Sequence, residues 1–289
     1  MSIIPKIRAT LKAKLAELIP AWSGKVLDIQ LPDIGLSGAS AVITFAEEVQ
    51  KSSWAGYRRI VKIWPYALPG SGGMEQVEAW CETLIQKLHN TRLVDDAGEA
   101  FTCVYLGAAD SDTAELLGGL VTRPIRFGIY VPEPESTVEP DADKDPWLVA
   151  LNEWTAQQLG EGWTIYNDAW PSGYVERSVL WRLTSISTTA PGTTAFELRK
   201  QWMGHIYGHS EQENKRIAAE LVERLNAQVK IVLDRAKRRY LTVGEASADV
   251  QADAFLNGQI RLTLLRRAQR DLPDAPLVRE VHNKPVLDG

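Results

Sequence analysis

Apolar residues recur with helical spacing at the start of the chain. Ile4, Ile7, Leu11, Leu15, Leu18 and Trp22 lie three or four apart, one stripe on a helix over 3–22. Pro5 falls in its first turn, where its missing N–H costs nothing. The segment 146–159 repeats the pattern with Trp147, Leu148, Leu151, Trp154 and Leu159. Each helix leads into a short extended piece, 25–29 in one half and 163–166 in the other. Two strand-like runs follow in each half, 39–45 with 57–64 and 179–186 with 196–207, separated by polar or Gly/Pro-containing turns as in a hairpin. A second amphipathic helix comes next. Over 74–90 it carries Val77, Cys81, Leu84, Ile85 and Leu88 on one face; over 210–228 it carries Ile217, Leu221, Val222 and Leu225. The sequence Ser210-Glu211-Gln212-Glu213 reads as a capping box, each side chain satisfying the other's free N–H. Each half closes on an alternating strand, 125–129 and 260–264.

The spacing between matching elements is nearly constant. Trp22 to Trp163 and Tyr66 to Tyr207 are both 141 apart, Leu84 to Leu221 and Leu88 to Leu225 are 137 apart, and Ile125 to Ile260 is 135. The drift falls in loops, where insertions are tolerated. The pattern predicts a tandem duplication of one α+β domain, a mostly antiparallel sheet packed by two helices, at 1–131 and 146–270. Between them, residues 132–145 form an acidic, proline-rich linker, and 271–289 form an extended C-terminal arm. Leu11, Leu15, Leu84, Leu88, Leu221 and Leu225 are the expected core.

Composition narrows the function. Hydrophobic residues at 45% and charged residues at 24% describe a globular chain rather than a disordered one. A net charge of −5 argues against general nucleic-acid binding, which needs concentrated Lys and Arg. Cys81 and Cys103 make neither a disulfide framework nor a zinc cluster. No run approaches the roughly 20 apolar residues that span a bilayer, and the start lacks a signal peptide's unbroken apolar core; a reducing cytoplasm and no membrane partner are expected.

Catalytic patterns are scarce. His205 and His209 have a helical metal-ligand spacing but lie in a strand-and-turn context, and read as exposed polar residues at a strand end. Residues 70–73 lack the Lys-Ser/Thr of a nucleotide loop and read as a turn feeding the helix. No nucleophile elbow, paired-carboxylate motif or dinucleotide fingerprint occurs. The expectation is no enzyme and no cofactor or metal. An enzyme with an unfamiliar site between the domains is the competing reading that the scattered His, Cys and carboxylates weigh against.

Surfaces then carry the work. Ten tryptophans raise the prospect of interfaces, with Trp54, Trp170 and Trp202 as candidates. Arg238 and Arg239, with Arg266 and Arg267, give the second half a basic end suited to an acidic partner or to passing DNA.

The order helix, short strand, hairpin, helix, closing strand resembles the tail-terminator, or tail-completion, proteins of tailed bacteriophages. The second half carries the likeness best, in Phe196-Glu197-Leu198-Arg199, Ser210-Glu211-Gln212-Glu213, the helix over 219–225 and Ile260-Arg261-Leu262-Thr263-Leu264. The resemblance implies a virion structural protein, assembled in the host cytoplasm, that closes a ring on the tail tube and joins it to the head and neck connector. Its family members have one domain, and two domains here depart from that pattern. A homohexamer is expected, because the acidic first half and the basic second half are poor equivalents in one ring; three chains are the alternative. A non-catalytic two-repeat adaptor is the competing binding reading.

Overall fold

The first helix, α1 (Ile4–Leu18), buries Ile7, Leu11 and Leu15 along the predicted stripe, and a following 3-10 turn buries Trp22. The stripe packs on a sheet built from β1 (Val26–Leu27), β2 (Ser40–Ser52), β3 (Gly56–Ala67), β4 (Thr91–Val94), β5 (Ala100–Ala108), β6 (Thr113–Ala114), β7 (Val121–Thr122) and β8 (Ile125–Val131). The second helix, α2 (Gly73–Leu88), adds Val77, Cys81, Leu84 and Leu88 to the same core. This is a computed structural model, and it describes residues 4–28, 36, 38–70, 72–110, 113–114, 119–132, 145–190, 192 and 194–270, without the side chains of 47–51, 57, 113 and 114. The expected linker, apart from Pro132 and Asp145, and the expected arm at 271–289 lie outside the described residues.

The second half starts at α3 (Pro146–Leu159). The Asp145 side chain accepts from Trp147 N and Pro146 takes the first turn, a pre-organised start. After it come β9 (Thr164–Asn167), β10 (Ser178–Thr189), β11 (Ala195–Tyr207), α4 (Glu211–Gln228), β12 (Lys230–Asp234), β13 (Arg239–Ala248) and β14 (Ile260–Gln269). At the start of α4, Ser210 Oγ accepts from Glu213 N at 3.1 Å. The return bond is displaced by one residue from the expected box: Glu213 accepts from His209 N at 2.8 Å. Gly204 is required where it stands, because a Cβ there would lie 2.6 Å from the Trp181 ring.

Strand for strand, the two sheets have one topology. Their orders are β1-β2-β3-β8-β5-β4 and β9-β10-β11-β14-β13-β12, with β6 and β7 as an addition beside β3 in the first. The first pair is parallel in each sheet and the remaining pairs are antiparallel. The fold is thus α+β in two tandem units. Registers match as well: Tyr66 ends its hairpin opposite Ser40, and Tyr207 ends its own opposite Ser178. Six of the described strands escaped the periodicity reading, β4, β5, β6, β7, β12 and β13. The run Phe101-Thr102-Cys103-Val104-Tyr105 is rich in aromatic and β-branched residues, and that signal was available.

Helices cover one face of each sheet. The six leucines expected in the core are all buried, at 0–2% exposure. Leu84→Ala or Leu221→Ala should each cost about 2–5 kcal/mol, the transfer loss plus the cavity left behind. Chemical denaturation of the two variants checks this; midpoints within error of wild type would remove these residues from the core.

Candidate functional site: the seam between the two sheets

The open face of the first sheet is covered by the second half of the chain. Ala55, Ala100 and Tyr130 from the first half form one buried cluster with Trp170, Tyr174, Leu180, Tyr207 and Phe255 from the second. Alternation along the strands explains which residues arrive there. Ile129 and Val131 face the helices, so Tyr130 between them faces the other way. Ala100, Thr102 and Val104 share that open face for the same reason.

Phe255 is the centre. Its ring lies 5.3 Å from Tyr130, 5.4 Å from Trp170, 5.5 Å from Tyr174 and 5.1 Å from Tyr207, and the Tyr130 pair is stacked. Asp253 sets the loop that presents it. Its Oδ1 accepts from the backbone N–H groups of Phe255 and Leu256, both at 2.8 Å. Its Oδ2 accepts from the Tyr130 hydroxyl at 3.0 Å. One carboxylate therefore shapes the loop and ties it to the opposite sheet. Burial first, and then the Asp253 charge, push the Tyr130 hydroxyl far above its ordinary pKa.

Further bonds cross the seam. Thr102 Oγ1 bonds the Tyr174 hydroxyl and donates to the Tyr207 hydroxyl at 3.3 Å. Arg92 Nε donates to the Tyr174 carbonyl at 2.6 Å, and Ala100 N to the Ser172 carbonyl at 2.6 Å. The tip of the β2–β3 hairpin is gripped at both ends of one residue: Trp54 Nε1 donates to the Phe255 carbonyl at 3.1 Å, and the Trp54 carbonyl accepts from Trp170 N at 2.9 Å. The Arg182 guanidinium sits 3.8 Å above the Trp54 ring. It also donates from Nε to His205 Nε2 at 2.9 Å. His205 Nδ1 in turn bonds the Ala254 carbonyl at 2.7 Å. With Nε2 accepting, Nδ1 must carry the proton, which makes the ring neutral.

This placement corrects several expectations. Trp170 and Trp202 are fully buried within the chain, at 0% and 1% exposure, and have no surface to offer a partner. Trp170 belongs to the seam, and Trp202 packs in the core of the second sheet. Trp54 is an interface residue, but the interface is intramolecular. His205 is not an exposed strand-end residue; it is buried and couples Arg182 to the Phe255 loop. His209 is exposed and pairs with Glu176. Cys81 and Cys103 are buried free thiols, and burial pushes the Cys103 thiol up to about 12.

The four arginines lie toward one end of the second sheet. Arg238 lies in the β12–β13 turn and Arg239 starts β13, both exposed. The register that sets Thr242 opposite Leu265 carries Arg239 to the same end of the sheet as Arg266 and Arg267. Among the described residues, the seam does not bring together a nucleophile, a base and an anion-stabilising pair. A cleft of about 230 Å³ beside it is lined by His89, Ser210, Glu211, Lys215 and Asp253 among others. There Glu211 pairs with Lys215, and His89 Nδ1 accepts from Tyr105 N at 3.1 Å. Among the described residues, no group of three or more His, Cys, Asp or Glu is placed to hold a metal ion. No helix among them is long and apolar enough to cross a membrane. Comparison with known proteins adds no family: no protein-family model matches the chain, and no curated protein matches it.

Two outcomes follow from the seam. Phe255→Ala removes a ring packed against four others and should cost about 3–5 kcal/mol. Calorimetry should show the single wild-type unfolding transition splitting into two; one unchanged transition would mean the sheets do not depend on this contact. His205 adds a pH dependence. Burial, and to a lesser degree the nearby Arg182 charge, pull its pKa down to about 3, against about 6.5 in an unfolded chain. Between those values the unfolded chain binds a proton that the folded chain refuses, so stability falls as pH drops through that window. The slope attributable to this group approaches 1.4 kcal/mol per pH unit. Denaturation of wild type and His205→Gln between pH 5 and about 6.5 should show a shallower slope in the variant. Equal slopes would mean that His205 protonates freely in the fold.

Proposed function

We propose that this chain is a structural virion protein of a tailed bacteriophage, a tail terminator that closes a ring on the tail tube and joins it to the head and neck connector. The observation that carries the reading is the duplicated sheet itself. Each half has the helix, sheet, long hairpin and second helix that the resemblance implies, and Thr102, Tyr130 and Asp253 join the halves. On this reading the work is done by surfaces. The basic end at Arg238, Arg239, Arg266 and Arg267 suits an acidic neighbour or DNA passing through the ring.

The assembly is a homo-oligomer. Six chains are our primary reading, with the acidic and basic halves in separate layers. Three chains are a second reading, and the shared strand order and register favour it, because six like domains then surround one axis. A two-repeat adaptor is the competing non-viral function.

Electron microscopy of purified protein and of assembled tails tests the proposal. Sixfold density at the head-proximal end of the tube is the expected result. Threefold density selects the smaller ring. Absence of the chain from purified particles overturns the virion role.

A further inference from the structure

One row across the first sheet sets two cations face to face. Pairing registers place Thr44 opposite Lys62, Lys62 opposite Arg126 and Arg126 opposite Gly107, so the row crosses β2, β3, β8 and β5. Arg126 and Tyr130 are four apart on β8, so the row shares the open face that forms the seam further along. Side chains directly opposite on adjacent strands have Cβ atoms about 4.5–5.5 Å apart, and like charges there repel. Among the described residues, neither Lys62 nor Arg126 has a hydrogen-bond or ion-pair partner. The Arg126 Nε is buried in that state, which is costly for an N–H group. The chain has 37 acidic residues against 32 basic ones, yet none of those described is placed to meet this pair.

Thr44 completes the row. Its Oγ1 accepts from Trp64 Nε1 at 3.4 Å, which leaves the hydroxyl proton to be donated. Thr44, Lys62, Trp64 and Arg126 are all half-buried. Beside Arg126 the floor is open, since a side chain at Gly107 would meet nothing within 4 Å. At Gly128 a Cβ would lie 3.0 Å from Arg58 Cδ. The missing side chain therefore lets the Arg58 stem lie across β8 and brings a third cation onto this face. The face is also bounded. The seam closes it at Tyr130, and Trp64, packed against the cluster around Val42, closes it on the other side.

We propose that the row of Thr44, Lys62 and Arg126 binds the phosphate group of a small phosphomonoester. A carboxylate carries one charge and neutralises only one of the two cations. A phosphomonoester carries about −1.5 to −2 charges near neutral pH and three acceptor oxygens, which match an ammonium, a guanidinium fork and a hydroxyl. The bounded face suits a small molecule rather than a polymer, whose repeated phosphates need a longer basic track. Trp64 stands two residues from Lys62 on the same face and gives the organic group of the ester an apolar wall. Binding relieves the repulsion between the cations and gives the Arg126 Nε an acceptor, two costs that the free chain carries. The site goes beyond the ring reading above and does not depend on it.

Thermal unfolding of the full-length chain tests the site, with inorganic phosphate and phenyl phosphate as probes. Both should raise the wild-type melting temperature saturably, as any ligand of the folded state does. Acetate, and sodium chloride at matched ionic strength, should not. Phenyl phosphate should bind at least as tightly as inorganic phosphate, because its ring meets Trp64. Lys62→Gln and Arg126→Gln should each weaken the affinity for phosphate on the order of 10-fold, the loss of one charge-assisted bond. Unchanged circular dichroism shows that the variants fold; should either fail, Thr44→Val and Lys62→Met report the same contact. A wild type that phosphate stabilises no more than chloride does, or variants that keep the full response, overturns the site. A response to inorganic phosphate alone overturns the ester as its ligand. Binding of a single-stranded oligonucleotide or an acidic peptide that is lost in Lys62→Gln, with no response to phosphate, assigns the face to a macromolecule and overturns the proposal.

Discussion

The packing of Phe255 against rings from both halves is the contact on which the rest of the molecule depends. A sheet with helices on one face has a second face to cover or to wet. In the first half that face is covered by Trp170, Tyr174, Tyr207 and Phe255. Aromatic pairs of this kind add about 0.5–1.5 kcal/mol each beyond the area they bury, without simple additivity. The hydroxyls carried into the seam with them are met, Tyr130 by Asp253 and Tyr174 and Tyr207 by Thr102, whereas the buried Trp170 indole N–H has no hydrogen-bond partner among the described residues. Such satisfaction is what makes a buried polar contact directional rather than merely costly. The two sheets are therefore joined by a specific surface and not only by the chain between them.

The chain Trp54, Arg182, His205, Ala254 shows how the hairpin tip is included. A guanidinium over an indole face gains electrostatic attraction that grows when water is removed. Arg182 is also anchored by its bond to His205, whose neutral ring passes the constraint to the backbone of the Phe255 loop. Protonating that ring would set an N–H against the Arg182 N–H. The pairing works only while the imidazole is neutral.

The two halves share their topology and part of their cores, while other core positions differ, with Trp202 where the first half has Val61 and Trp181 where it has Ile43. Leu84 and Leu221, Leu88 and Leu225, Ile125 and Ile260 stay buried at matching places. The loop that presents Phe255 in the second half presents Leu120 in the first, and Tyr174 is matched by Leu36. Aromatic residues thus concentrate where a seam is already formed within the chain. Smaller apolar residues, Leu36 and Leu120, stand at the corresponding positions of the first half.

Much of this fold was legible in the chain itself. Helical stripes, the two hairpins, the closing strands and the near-constant offset are local or periodic signals, and they read directly from residue type because burial selects one face of each element. The starts of α3 and α4 were equally local, set by Asp145 with Pro146 and by Ser210. What only the tertiary structure decided was which apolar residues meet. Trp54, Trp170 and Trp202 are alike in sequence as large apolar residues outside a clear stripe, yet one grips a loop, one lies in the seam and one fills a core. His205 has the same ambiguity, since a histidine beside glycine at a strand end is exposed or buried according to what a distant loop lays over it. Contacts such as Trp54 with Phe255, 201 residues apart, leave no periodic trace in the chain, because they depend on how two finished sheets dock and not on how either one forms.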